Sequence, residues 1–93
     1  MTPEGKVKRK FSAMLKEYGA YYEMPVPSGF GKSGLDYTGC YNGRFFSIEA
    51  KKPGAKPTPR QEITISEIQK AGGLAFVIDG DLSLLEAWLK EVA

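Results

Sequence analysis

Two carboxylates and an ammonium group stand where two neighbouring strands are expected to end. The segment Ser47-Ile-Glu-Ala-Lys51 begins as an apolar strand and finishes with Glu49 and Lys51, which are two residues apart and therefore on one face. Asp36 lies at the start of the preceding apolar run. Paired carboxylates can hold a hard divalent cation, and a neighbouring lysine can stabilise negative charge on a phosphate or orient a water nucleophile.

A tight turn determines how these groups face each other. Asn42-Gly43 lies between the strand-like runs 35–41 and 44–51, which is the strongest short-range signal for a hairpin with a type I′ turn. A two-residue turn pairs residues symmetrically about itself, so Asp36 is expected to face Glu49, with Cβ atoms about 4.5–5.5 Å apart. Carboxylates this close repel each other unless a proton or a cation lies between them.

The residue types restrict the ion that such a site would bind. The chain contains no histidine, which excludes an imidazole-rich centre. Oxygen ligands suit Mg²⁺ or Mn²⁺, and the backbone carbonyl of Ala50, between Glu49 and Lys51, is a further candidate ligand. The alternative is a surface salt-bridge cluster with no chemical role, although a surface hairpin more often sets Asp opposite Lys.

A second helix is expected to bring an amide to the same place. Thr58 is a good N-cap, Pro59 suits the first helical position, and Gln61 completes a capping box. Gln61 shares a helix face with Ile65 and Ile68, which should pack on the sheet. The Gln61 side chain is therefore expected to point toward the strand ends.

The remaining pattern predicts an α/β fold of order α-β-β-β-α-β-α. Strand 74–78 (LAFVI) is short and wholly apolar, as a central strand should be. The step from strand 44–51 through a helix to strand 74–78 predicts a parallel crossover and hence a mixed four-stranded sheet flanked by helices. The other expected elements are helix 3–18, which should begin after the N-cap Thr2 and stop at Gly19, strands 20–26 and 35–41, a helix from residue 58 to the glycines at 72–73, and a C-terminal helix capped by Asp81.

Composition sets broad limits on the protein. Ninety-three residues with 42% hydrophobic content predict a single globular domain. The net charge of +2 hides an asymmetry, because residues 1–60 hold eleven basic and five acidic side chains and residues 61–93 hold two and six. A basic first part suits a polyanion, although an ordinary solvated surface is the alternative. A single cysteine, no apolar run of about 20 residues and no apolar signal segment predict a cytoplasmic protein.

The spacing of these groups resembles a known nuclease family. Gly34-Leu35-Asp36, then Glu49-Ala50-Lys51 thirteen residues later, then Thr58-Pro59-Arg60-Gln61 are similar to the PD-(D/E)XK nuclease superfamily. More specifically, they resemble its virus-type replication-repair nuclease (VRR-NUC) domain, in the small stand-alone viral or bacterial form. The likeness runs from Glu4 to Asp79 and is most specific over residues 51–61. Leu35 departs from the family, which usually has proline there.

The resemblance implies a restriction-endonuclease-like αβββαβ core, a Mg²⁺ or Mn²⁺ cofactor and hydrolysis of phosphodiester bonds. Asp36 and Glu49 would be the metal ligands, Lys51 the catalytic lysine and Gln61 an accessory site residue. Glu4 matches the acidic position that opens the first helix and would complete the site. The alternative for Glu4 is a carboxylate that only complements the helix dipole.

The resemblance also implies partners and a location. Small stand-alone members resemble Holliday-junction resolvases and act as homodimers, in the host cytoplasm where they are viral. The last helix carries an apolar stripe that would supply either an interface or core: Leu82, Leu85, Trp88, Leu89 and Val92. Candidate contacts with DNA phosphates are Lys6, Arg9, Lys10, Lys32, Lys52, Lys56 and Arg60. Two alternatives stay open: a nicking or single-strand-directed nuclease, and a catalytically silent nucleic-acid-binding module on the same fold.

Overall fold

The helices and strands occur in the predicted order. A computed structural model describes residues 1–25 and 34–93. The elements are α1 (Pro3–Tyr18), β1 (Tyr21–Glu23), β2 (Tyr37–Tyr41), β3 (Arg44–Ala50), α2 (Pro59–Lys70), β4 (Leu74–Ile78) and α3 (Ser83–Val92). The sheet order is β1-β2-β3-β4, antiparallel except for the parallel pair β3–β4. The predicted mixed four-stranded sheet with flanking helices and a C-terminal helix is confirmed.

The hairpin between β2 and β3 has the predicted turn and register. Asn42 and Gly43 both have positive φ, 51° and 81°, as a type I′ turn requires. Tyr41 pairs with Arg44, and the ladder continues inward to Tyr37 and its partner Ile48. β2 begins two residues later than predicted. The ladder therefore stops one position before Asp36, which lies in a bend.

The hydrophobic core lies on one face of the sheet, under α1 and α3. Val7, Phe11 and Leu15 of α1 meet Phe46 and Ile48 of β3 in a single buried cluster. Position 39 of β2 requires glycine, because atoms of β1 and β3 occupy the space that a side chain would need. A Cβ there would lie 2.1 Å from the carbonyl oxygen of Tyr21 and 2.7 Å from the Phe46 ring.

The apolar stripe of α3 belongs to this core. Leu85 and Leu89 are buried within the cluster, and the Trp88 ring packs against Phe46 and Phe76 with centroids 5.6 Å away in each case. Of the two roles predicted for the stripe, core packing is therefore confirmed. Because Leu85 and Leu89 already fill the interior, these two side chains do not contribute to the predicted dimer interface.

The helix ends mostly follow their predicted caps. Thr2 caps α1 through its hydroxyl, which accepts from the Gly5 N–H, and Thr58 with Gln61 forms the capping box of α2. The cap of α3 differs from the prediction, since Leu82 holds the N-cap position. Asp81 lies one residue too early and instead accepts the Ser83 N–H at 2.9 Å, in a turn that leads into the helix.

The position predicted for the LAFVI strand is wrong. β4 is an edge strand of the sheet rather than a central one, and only Ile78 is buried among its five residues. A fully apolar strand is covered on both faces in most α/β sheets, but composition does not report whether it has neighbours on both sides. Among the helices of the described residues, none combines the length and apolarity needed to cross a bilayer.

Candidate functional site

Three carboxylates from separate elements meet at one end of the sheet. Glu4 comes from the first turn of α1, Asp36 from the bend before β2, and Glu49 from the end of β3. One oxygen of each lies within 4.8 Å of an oxygen of each of the others. The predicted approach of Asp36 to Glu49 is confirmed, and Glu4, whose reach was an open question, belongs to the same cluster.

The Asp36 side chain adds one hydrogen bond to β3 beyond the point where the backbone pairing of β2 with β3 ends. Its Oδ2 accepts the backbone N–H of Ala50 at 2.9 Å, in place of a β2 carbonyl. The N–H and C=O of one strand residue point to the same side, so the Ala50 carbonyl also lies on the Asp36 side of β3. That orientation suits the oxygen ligand predicted for Ala50. Asp36 Oδ1 lies 3.8 Å from Lys8 Nζ.

Glu49 is the most enclosed of the three acids. The residue is 4% exposed, and its Oε2 accepts from Gln61 Nε2 at 3.0 Å. Lys51 Nζ lies 3.7 Å from the same oxygen. Gln61 therefore points toward the strand ends as predicted. Its Oε1 at the same time accepts the Thr58 N–H at 2.9 Å, so the capping box and the contact with Glu49 share one amide.

Burial makes the charged form of Glu49 costly. Desolvation, followed by the nearby Asp36 carboxylate, raises the pKa of Glu49 from its ordinary 4.5 to about 7, and Lys51 partly opposes this rise. A cation between the two carboxylates would relieve both causes. The donor set consists of hard oxygens, which fits Mg²⁺ or Mn²⁺ and does not fit a soft metal.

Lys8 is a site neighbour that the sequence reasoning missed. Its side chain is 34% exposed and is the second basic group at the acidic cluster, beside Asp36 rather than Glu49. The signal that could have found it is the four-residue spacing from Glu4, since residues i and i+4 lie on the same helix face.

A shallow cleft opens beside the acidic cluster. It has a volume of about 300 Å³ and is lined by Thr2, Pro3, Glu4, Lys51, Lys52 and Ala55. A larger hollow, about 890 Å³, lies at the opposite end of the hairpin around Asn42, Arg44 and Trp88, away from these acids. The small cleft therefore gives access to the Glu4 and Lys51 side of the acidic cluster.

The basic residues predicted to contact DNA phosphates are exposed wherever they belong to the described part of the chain. One of the seven, Lys32, lies outside the described residues. The other six are exposed: Lys6, Arg9, Lys10, Lys52, Lys56 and Arg60. Lys52 also lines the cleft beside Glu4 and Lys51.

No family model and no curated protein matches this chain.

Removing the charge of Asp36 tests the repulsion within the cluster. We expect Asp36→Asn to leave the stability of the metal-free protein unchanged or to raise it by up to about 1 kcal/mol, because it removes a like charge beside Glu49. The Asn oxygen can still accept the Ala50 N–H, and the lost pair with Lys8 is half-exposed and worth little. Urea unfolding in EDTA at pH 8 measures the effect.

Asp81→Asn is the matched control for that measurement. Asp81 accepts the Ser83 N–H in a similar way but lies outside the acidic cluster. The same substitution there removes no repulsion and should not stabilise the protein. A clear loss of stability in Asp36→Asn would contradict the proposed repulsion between the acids.

Proposed function

We propose that this protein is a Mg²⁺- or Mn²⁺-dependent endonuclease that cuts branched DNA as a homodimer. The observation that supports it most directly is the convergence of Glu4, Asp36 and Glu49 within 4.8 Å, with Lys51 Nζ 3.7 Å from Glu49. The resemblance of residues 34–61 to VRR-NUC domains supplies the reaction class. The acidic cluster alone would fit many sites.

The roles of the side chains follow from their positions. A bound Mg²⁺ or Mn²⁺ would polarise a phosphoryl oxygen and lower the pKa of an attacking water. Asp36 and Glu49, with the Ala50 carbonyl and Glu4, are the candidate oxygen donors for that ion. Lys51 holds a positive charge 3.7 Å from Glu49 Oε2, where it would stabilise charge that develops on the reacting phosphate.

Two neighbours keep the donors in place. Gln61 donates to Oε2 of Glu49, and the Ala50 N–H donates to Oδ2 of Asp36. Each contact limits the rotation of a carboxylate, so little ordering remains when substrate binds. We assign Gln61 a positioning role, because its amide is already used by Glu49 and Thr58.

A junction-cleavage assay tests the proposal. The protein is incubated with a four-way DNA junction and, separately, with flap, duplex and single-stranded DNA, in Mg²⁺, in Mn²⁺ and in EDTA. Cleavage of the junction that depends on the metal is the expected result. Cutting confined to single strands, or nicks without paired incisions, would favour the alternative nuclease. Binding without any cleavage would favour the silent module.

DNA binding should depend strongly on salt. The exposed basic side chains would replace condensed counterions, so log Kd should rise linearly with log salt, with a slope of about 0.9 for each phosphate contacted. Fluorescence anisotropy with a labelled junction in EDTA measures this slope. We expect Lys10→Ala to reduce the slope by about one unit. Lys90→Ala should not, since Lys90 belongs to α3 and pairs with Glu86 at 3.9 Å. A flat salt titration of the unaltered protein would contradict backbone-led recognition.

A further inference from the structure

The outer edge of β4 has an unusual composition for an edge strand. All five residues, Leu74–Ile78, are apolar, and none is charged or a proline. Edge strands normally carry charges, prolines or bulges that prevent another chain from pairing with them. Within residues 1–25 and 34–93, β4 has β3 as its single neighbour, and Val77 is 41% exposed. β4 thus has the composition of a strand with neighbours on both sides.

The direction of the backbone groups shows what this edge offers. The Ile78 carbonyl accepts the Lys51 N–H, so the backbone groups of Ile78 point to β3. Alternation along the strand sends those of Phe76 and Leu74 the same way. The N–H and C=O groups of Ala75 and Val77 therefore point outward, in position to pair with a further strand.

We propose that β4 pairs with β4 of a second copy, antiparallel about a two-fold axis at Phe76. Ala75 of one copy then faces Val77 of the other, and the reverse, which gives two hydrogen-bonded pairs that each exchange two N–H···O bonds. This register pairs both outward-facing residues and places only apolar side chains along the seam. The two four-stranded sheets become one continuous sheet.

The charges at the ends of β4 favour this antiparallel arrangement. Lys70 precedes the strand, and Asp79 and Asp81 follow it. None of the three forms an ion pair with another residue in the described part of the chain. Antiparallel pairing sets the basic end of one strand beside the acidic end of the other, on both sides of the axis. The charges that flank the strand are therefore complementary to each other in the antiparallel pair.

The helices that flank the strand can supply the rest of an interface. A stable dimer buries about 1,200–2,000 Å² in total, which is more than a five-residue strand pair provides. Ile63 of α2 is 62% exposed and Leu84 of α3 is 78% exposed. Both belong to helices adjoining β4, whereas the stripe with Leu85 and Leu89 is already buried in the core.

This arrangement also fixes the relation between the two candidate sites. The inference takes from the proposed function only the pairing of two copies. Directly opposed residues of antiparallel strands share a face, so both Glu49 side chains would lie on the same face of the joined sheet. Three strand spacings of about 4.8 Å and an offset of two residues at about 3.3 Å place their Cα atoms about 16 Å apart.

Sedimentation of the full chain without DNA or metal tests the pairing. The unaltered protein should be a dimer, and Val77→Lys should weaken its dimerisation at least about tenfold, because it puts like charges beside the axis. Tyr21→Lys is the matched control: Tyr21 is 64% exposed on β1, the opposite edge strand, and should leave the dimer unchanged. Circular dichroism checks that both variants fold.

Amide hydrogen exchange gives a second readout that needs no substitution. The amides of Ala75 and Val77 should exchange slowly at high protein concentration and faster on dilution. The proposal is overturned if the unaltered protein is monomeric throughout, if Val77→Lys dimerises like the unaltered protein, or if these amides show no dependence on concentration. Because no DNA is used, a monomeric protein would remove the homodimer from the proposed function but leave metal-dependent cleavage to the junction assay, and failure of cleavage would leave the pairing standing.

Discussion

Lys51→Ala should lower the single-turnover rate of junction cleavage by roughly 10²–10³-fold, the usual cost of removing one charge-stabilising donor. Lys51 Nζ lies 3.7 Å from Glu49 Oε2, and its side chain is only 15% exposed. It is therefore held beside the acids and is not free to follow the DNA backbone. Affinity for the junction, measured in EDTA, should stay close to that of the unaltered protein.

Lys52→Ala is the matched control for this experiment. Lys52 is the next residue and lines the same cleft, but it is exposed and, within the described part of the chain, forms no salt bridge with the acidic cluster. Its loss should weaken binding slightly and leave the chemical step intact. If Lys51→Ala reduced binding as much as cleavage, Lys51 would be mainly a DNA contact. An unchanged rate would remove it from the proposed mechanism.

Glu49→Gln should have the largest effect on metal binding. Even partners of metal ligands cost about 10–100-fold in affinity when removed, so loss of a ligand should weaken Mn²⁺ binding by more than about 100-fold. Calorimetry with Mn²⁺, with and without DNA, measures this. Glu62→Gln is the control, because Glu62 lies in the exposed first turn of α2. Equal affinity in the Glu49 variant would contradict the assigned site.

The same substitution should change how stability depends on pH. The pKa of Glu49 is about 7 in the folded protein, against an ordinary 4.5. Between these values the unfolded chain releases this proton while the folded chain keeps it, so metal-free stability should fall as pH rises through that range. The loss should be complete above about pH 7.

Denaturant titrations in EDTA at pH 5 and pH 8 provide the test. We expect Glu49→Gln to lack this decline, so it should gain stability relative to the unaltered protein at pH 8. Protons compete with the cation for the same carboxylate, so Mn²⁺ should bind more tightly as pH approaches 7. Parallel pH profiles for the variant and the unaltered protein would show that Glu49 is not the titrating group.

The local signals in the sequence predicted much of the fold because each acts over a few residues. Asn42-Gly43 predicted the turn and the register of β2 with β3, since two adjacent residues with positive φ leave few alternatives. Thr2 and Gly19 predicted the limits of α1 by capping. The register predicted that Asp36 approaches Glu49. The capping box predicted the direction of the Gln61 side chain.

Features that depend on the arrangement of distant segments were not predictable. The apolar run of β4 reports what covers its faces but not whether a strand lies beside it, so its edge position was missed. The apolar stripe of α3 was compatible with both core and interface. The four-residue spacing places Lys8 on the same face of α1 as Glu4, but its contact with Asp36 also depends on where α1 meets the bend before β2.

The Gln61 side-chain amide makes two hydrogen bonds, one to Thr58 and one to Glu49. The position of the Glu49 carboxylate therefore depends on the thermal stability of the first turn of α2. The oxygen that closes the first turn of α2 and the nitrogen that holds Glu49 belong to one planar group, so neither bond can break without disturbing the other. Helix ends open at lower temperature than the protein as a whole. Fraying at Thr58 would release Glu49 while the sheet is still intact, so the carboxylates should lose their alignment on warming before the domain melts.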